Sequence, residues 1–361
     1  MTNFGTHNLL NIVPLHIVAQ GRATTGLSMD QTNRTLLDWL LAEFPDTPRK
    51  RAKQWIVAGR VSVAGAVVRK PNELIPDPRG SLELQGRRSS ALVLDEQWRI
   101  HPRLSLVYLD SSLAIVNKGA GLLSVPAPIT DISALSILAD FLAGKLRGLG
   151  HRTAEHRLPP AFRLLQPLPV HRLDQFTTGV LCLAMNPAAR AALIEQFSAH
   201  TASRQYVAFV DGRPKKPRGT WRHWLQFNDE TLLQHVFATP SGPDALESVT
   251  HYEVLDAFPV GTTGRVVSKM RFRLETGRTH QIRAQAAYEG LPLIGDRTYH
   301  PQYHASRRES GRVLVEFERQ ALHAESLELE HPQQAGKRLT WRTPLPVDLQ
   351  KLERMLWGKR A

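Results

Sequence analysis

Cysteine is almost missing from this 361-residue sequence, in which Cys182 stands alone. A single thiol cannot close an intrachain disulfide and leaves no cysteine pair to hold zinc or run a redox couple, which points to a reducing, cytoplasmic setting. Long apolar runs are missing too. No stretch approaches the roughly 20 residues a spanning helix needs, and the opening segment lacks a charged stretch leading into a cleavable apolar core. No membrane partner is expected. Acid is scarce, with 33 Asp and Glu against 46 Lys and Arg, a formal charge of +13. Such a surface attracts polyanions through counterion release, but charge alone fits a merely basic enzyme equally well.

The chain is longer than one hydrophobic core usually supports, so two domains are expected. Residues 1–30 are read as a flexible N-terminal segment, 31–92 as a small domain and 100–352 as a large one. In the small domain Leu36, Leu37, Leu40, Leu41 and Phe44 recur with helical period from Asn33, and Pro45 stops them. A second helix fits Thr47 as N-cap, Pro48 at the first position and Gly59 beyond the end. Ala52, Trp55 and Ile56 share one side of it, while Arg49, Lys50 and Lys53 project from the other. Val61 and Val63, then Ala64-Gly65, then Val67, read as a hairpin. Pro71 to Arg88 should lead into a connector ending near Arg99. Beyond it, Leu104 to Tyr108 and Leu113 to Asn117 read as strands around Asp110-Ser111-Ser112, and Ile132 to Leu146 as a helix. Arg147 to Pro169 reads as an exposed insertion. Strands mixed with separate helices as far as Asp348 argue for an α+β domain.

Three segments could carry chemistry. His171-Arg172-Leu173-Asp174-Gln175-Phe176-Thr177-Thr178-Gly179 sets a carboxylate among cations, and its small residues suit a tight loop that a bulky substrate could approach. Taken alone, Asp174 could equally cap a turn or pair with Arg172. In Leu274 to Arg283 a strand runs into a helix that Thr279 can cap. Arg278 stands at the entrance and Arg283 one turn in, where both could reach a carboxylate or phosphate. In Arg204-Gln205-Tyr206-Val207-Ala208, Tyr206 shares a strand face with Ala208 and could be an ordinary core tyrosine.

Together these strings resemble the RluA-type family of RNA pseudouridine synthases, from Leu104 to Asp348. Ile115 to Leu122 is similar to the family's first motif, with Gly119 where proline is usual, and Thr276 to Arg283 is similar to its arginine motif, with Gly295-Asp296 downstream. Leu322-His323-Ala324 and His331-Pro332 fit its closing pattern, while Gln285 stands where histidine is common. Residues 31–92 resemble the small RNA-binding domain shared with a ribosomal small-subunit protein. They carry Arg34-Thr35-Leu36-Leu37-Asp38 and Ala64-Gly65 where that domain has Arg-Leu-Asp and Asn-Gly.

The resemblance implies a mixed, largely antiparallel sheet with flanking helices, preceded by a small α+β RNA-binding domain. It implies an isomerase that converts uridine to pseudouridine, with Asp174 as nucleophile, Tyr206 as stacking partner and proton acceptor, and Arg283 as the cation beside the carboxylate. Asp174 could attack the uracil ring, attack the anomeric carbon or abstract a sugar proton. RNA is the implied partner, large-subunit ribosomal RNA first and transfer RNA as the alternative. Contacts are expected from His171, Arg172, Arg278, Arg49, Lys50, Lys53 and Arg60, with Lys215, Lys216, Arg218, Arg307 and Arg308 extending the basic footprint. An isomerisation without redox change needs no cofactor, and His300 with His304 sits in a Pro-containing stretch unlike a metal site. No cofactor, no metal and a monomer are expected. A non-catalytic RNA-binding assembly factor would not need Asp174, Tyr206 and Arg283 together. A glycosidase-like hydrolase would need a second carboxylate, for which Glu275 is the nearby candidate.

Overall fold

The computed structural model describes residues 34–43, 47–63, 66–76, 82–84, 92–128, 130, 132–146, 160–260, 264–301 and 315–358. The expectations for residues 1–30, Ala64-Gly65, Arg307, Arg308 and His304 lie outside them. The chain separates into two compact units, Met1–Ser89 and Ser90–Ala361.

The smaller unit runs β1 (Arg34–Thr35), α1 (Leu36–Glu43), α2 (Arg49–Val57), β2 (Val61–Val63), β3 (Ala66–Val68), β4 (Leu74–Ile75) and β5 (Leu82–Leu84). Helix α1 starts where Thr35 Oγ1 accepts the Asp38 N–H at 3.2 Å and donates to Asp38 Oδ2 at 2.6 Å. Its Leu36, Leu37 and Leu40 pack with Ala52, Ile56 and Val61 in one core. Each large side chain buried there contributes roughly 1.5–3 kcal/mol. Helix α2 is capped by Pro48, not Thr47, and no side chain caps its N-terminus. At its other end Gly59 adopts φ +69° and the Arg60 N–H reaches the Trp55 carbonyl at 3.0 Å, as a left-handed C-terminal stop requires. The segment expected to be a connector is partly sheet: β5 pairs with β2, and β4 pairs with β1.

The larger unit runs β6 (Leu92–His101), β7 (Leu104–Leu109), β8 (Leu113–Lys118), α3 (Ala134–Leu142), a 3₁₀ turn (Pro160–Leu164), β9 (Leu168–Pro169), β10 (Thr178–Ala184), α4 (Pro187–Ser198) and β11 (Ser203–Asp211). It continues with β12 (Arg218–Asn228), β13 (Leu233–Phe237), β14 (Leu246–Val260), β15 (Arg265–Leu274), α5 (Gln281–Tyr288), β16 (Leu322–Glu330), β17 (Arg338–Arg342) and α6 (Val347–Trp357). The strands form one sheet in the order β13-β12-β14-β15-β11-β16-β10-β8-β7-β6, with β9 on β10 and β17 on β16. Only β10 and β16 pair in parallel among the described residues, so the expected mixed, largely antiparallel sheet is what the chain builds. Strand β6 replaces the end of the expected connector, its backbone bonded along β7.

Strand β10 is buried on both faces. Leu181 and Leu183 enter the core that includes α3 and α5, while Val180, Cys182 and Ala184 enter a second core against α4. The segment that precedes this strand is therefore anchored at the centre of the sheet. Among the described residues no helix is long and apolar enough to cross a membrane.

Candidate active site

Asp174 lies on the loop between β9 and β10, four residues before the sheet begins. Three elements converge on it. The loop brings the carboxylate, α5 brings Arg283 and His280, and β11 brings Tyr206. Arg283 Nη1 donates to Asp174 Oδ2 at 3.1 Å. The same guanidinium spans Asp296, with Nε donating to Oδ2 at 2.7 Å and Nη2 to Oδ1 at 3.0 Å. Both side chains of this second pair are almost fully buried, whereas that of Asp174 keeps 19% of its surface open. Burial alone would lower the Arg283 pKa. Asp296 and then Asp174 more than reverse this, and the guanidinium holds its proton more tightly than usual. A planar fork is the group that can face two carboxylates at once.

Asp296 is an anchor and not a second acid. Its Oδ1 also accepts the N–H groups of Thr298 and Tyr299, so both of its oxygens are engaged. Glu275, the candidate for a hydrolase, points elsewhere and contacts His251 Nε2 at 2.5 Å. Tyr206 is 8% exposed and shares a core cluster with Leu173 and Ile282, the neighbours of Asp174 and Arg283. Burial raises its phenol pKa, with Arg204 opposing and Asp174 adding to the rise. The ring is thus a largely desolvated wall next to the one partly open carboxylate.

Residues 112–288 match the family model described as RNA pseudouridylate synthase, and residues 34–77 match the S4 domain model. The chain is 34% identical to "Ribosomal large subunit pseudouridine synthase D" of Salmonella typhimurium, over 87% of this chain and 88% of that protein. For the Escherichia coli K12 protein of the same name the figures are 33%, 88% and 89%, and for that of Pseudomonas aeruginosa 33%, 86% and 89%. The chain belongs to the RNA pseudouridylate synthase family. A solved human protein, "RNA Pseudouridylate Synthase Domain Containing 4", is 22% identical with a TM-score of 0.49, over 70% of this chain and 92% of that one.

In this pseudouridylate synthase the loop that carries Asp174 is pinned almost atom by atom. Ser124 Oγ accepts the Leu173 N–H at 2.9 Å and donates to the Leu173 carbonyl at 2.8 Å. The Asp174 carbonyl takes the Thr177 N–H, and the Gln175 carbonyl takes the Gly121 N–H and Lys118 Nζ, both at 2.9 Å. Arg319 Nη1 donates to the Phe176 carbonyl at 3.1 Å while its other nitrogens grip Asp348 at 2.7 and 3.1 Å. Lys118 is fully buried, and burial pulls its pKa down to about 7 against the attraction of Asp174. Its ammonium reaches three carbonyls, those of Gly119, Leu122 and Gln175. None of Ser124, Lys118 and Arg319 was singled out from sequence as part of the site. A lysine in a motif and an arginine beside a strand carry no mark of which carbonyl they reach.

The remaining expected contacts fall in different places. Arg172 and Arg278 are exposed near the loop and at the entrance to α5. His171 faces inward, where Nε2 accepts the Cys182 N–H at 2.9 Å and the ring stacks on Phe197 at 4.6 Å. Burial, with Arg204 adding, drops its pKa to about 3. Arg49, Lys50 and Lys53 are exposed on α2, and Arg49 meets Asp38 at 3.3 Å. Arg60 sits with its guanidinium 5.5 Å from the Trp55 ring centre. Lys215 and Lys216 are exposed, and Arg218 pairs with Glu253. The helix cap also differs from expectation. His280, not Thr279, occupies the N-cap of α5, and the Gln281 side chain accepts the Arg278 N–H. Gly179 does not clear space for substrate: a Cβ there would meet the Ala324 carbonyl at 2.1 Å, so the glycine admits β16.

Proposed function

We propose that this synthase isomerises specific uridines of large-subunit ribosomal RNA to pseudouridine, as the names of its relatives state for those proteins, and that Asp174 is the nucleophile. The observation that carries the assignment is the 3.1 Å contact between Asp174 Oδ2 and Arg283 Nη1 on a carboxylate that remains partly open. Detaching uracil from ribose calls for a charged group held beside the ring, and the guanidinium offsets the cost of keeping that charge in a mostly dry site. Tyr206 walls the extruded base and relays a ring proton late in the reaction, its hydroxyl giving up its own proton toward N1 as it takes the one from C5. Arg172, Arg278 and the basic face of α2 hold RNA backbone, which positions without reading sequence. We further propose that the protein works as a monomer in the cytoplasm, in keeping with one buried, unpaired thiol at Cys182.

Pseudouridine mapping of total RNA from cells with and without the gene tests the substrate. The proposal expects one or a few sites in large-subunit RNA to vanish with the gene. Loss of sites confined to transfer RNA would overturn the ribosomal assignment and leave the chemistry intact.

A further inference from the structure

His280 is held in an unusual way beside Asp174. Its backbone is left-handed, at φ +54°, which among the described non-glycine residues only His200 and Leu232 share. That conformation costs about 1 kcal/mol and persists where the surroundings impose it. The side chain gives nothing back to the helix it starts, making no capping hydrogen bond.

The imidazole is instead fixed from behind. Nδ1 lies 3.0 Å from the Tyr299 hydroxyl, which also receives the Gln234 backbone N–H at 2.9 Å. An amide N–H can only donate, so the phenol accepts there and is free to turn its own proton toward Nδ1, the arrangement we adopt. The ring proton is then on Nε2. That nitrogen lies 3.9 Å from Asp174 Oδ1, beyond hydrogen-bond distance, and the two side chains keep 21% and 19% of their surface open. An oxygen atom that settles beside the pair, about 2.9 Å from Nε2, meets the N–H.

We infer that His280 Nε2–H is a substrate-contacting donor that holds a carbonyl oxygen of the extruded uracil beside Asp174, an inference that rests on the synthase reading. When the N1–C1′ bond breaks, its electron pair passes to the ring and spreads onto the carbonyl oxygens. A donor fixed at one of them steadies the charge and the ring while C5 turns to form the new bond to C1′. The net exchange moves one proton from C5 to N1, and His280 gains and loses none. Burial lowers its pKa, Asp174 and Asp296 raise it, Arg283 and Arg172 lower it, and the net direction is down, which keeps the imidazole neutral.

The test uses the full chain and large-subunit ribosomal RNA transcribed with 5-tritiated uridine, scoring tritium release. His280→Ala should lower kcat about tenfold or more, as loss of one placed donor does, while KM and RNA affinity stay near the wild-type values. His280→Gln, whose side-chain N–H has similar reach, should recover most of that loss. Tyr299→Phe, which frees the tautomer, should fall between. Full kcat in His280→Ala, a loss confined to KM, or no rescue by glutamine overturns the inference. Thermal melts of all three variants should match the wild type, and if His280→Ala melts early, the Tyr299→Phe and His280→Gln kinetics decide. A wild type silent on every RNA overturns the synthase reading itself.

Discussion

Arg283 does two tasks with one guanidinium, and substitutions can separate them. Lysine keeps the charge but cannot span Asp174 and Asp296, so Arg283→Lys should lower kcat by about 10²-fold with little change in RNA affinity. Methionine leaves Asp296 charged and 1% exposed, and should cost the fold about 3–5 kcal/mol in urea unfolding. His171 gives a pH signature. Its folded pKa is depressed to about 3 from 6.5, so the unfolded chain binds the extra proton between those values. Stability is therefore full above pH 6.5 and falls as the pH drops. At pH 5 the loss is about 2 kcal/mol, from 6.5 − 5 = 1.5 units at roughly 1.4 kcal/mol each. His171→Gln preserves an acceptor for the Cys182 N–H without titrating, and melts at pH 7 and pH 5 should differ less for it than for the wild type.

The loop from Leu173 to Thr177 owes its shape to donors from three other elements, and here the limit of sequence reasoning is plain. Asp174 and Arg283 are legible as chemistry because a carboxylate and a guanidinium recur in recognisable strings. Asp296, His280 and Tyr299 act through partners up to 106 positions away in sequence, which local periodicity cannot reveal. The hairpin β7–β8, the helix α3 and the alternation along β11 could be read because each follows a local period. Strand β6 and the short β5 could not, since their pairing lies in the neighbours they find. Gly295 shows how tightly the arms of the site are fitted. It has φ +74°, and one position before Asp296 a Cβ there would meet at 2.0 Å the carbonyl of Arg319, the residue that holds Phe176. Gly295→Ala should destabilise the protein by at least about 2 kcal/mol and lower kcat more than RNA affinity, as read by denaturation and single-turnover kinetics.

At the scale of the whole chain, the basic face of α2 and the carboxylate of Asp174 belong to different units. Neutralising Arg49, Lys50 and Lys53 together should weaken RNA binding and reduce the slope of log affinity against log salt by about 2–3, one for each lost phosphate contact. At saturating RNA, kcat should stay unchanged, because these side chains belong to the smaller unit and the chemistry to the larger. The formal charge of +13 supports this footprint without locating it, and the structure puts an exposed basic face on α2. The measurement that bears most directly on the account is tritium release from 5-tritiated large-subunit RNA by Asp174→Asn, beside its RNA affinity. The account predicts release at least about a thousandfold slower than the wild type with affinity retained, as loss of a nucleophile gives. Release at the wild-type rate would contradict it.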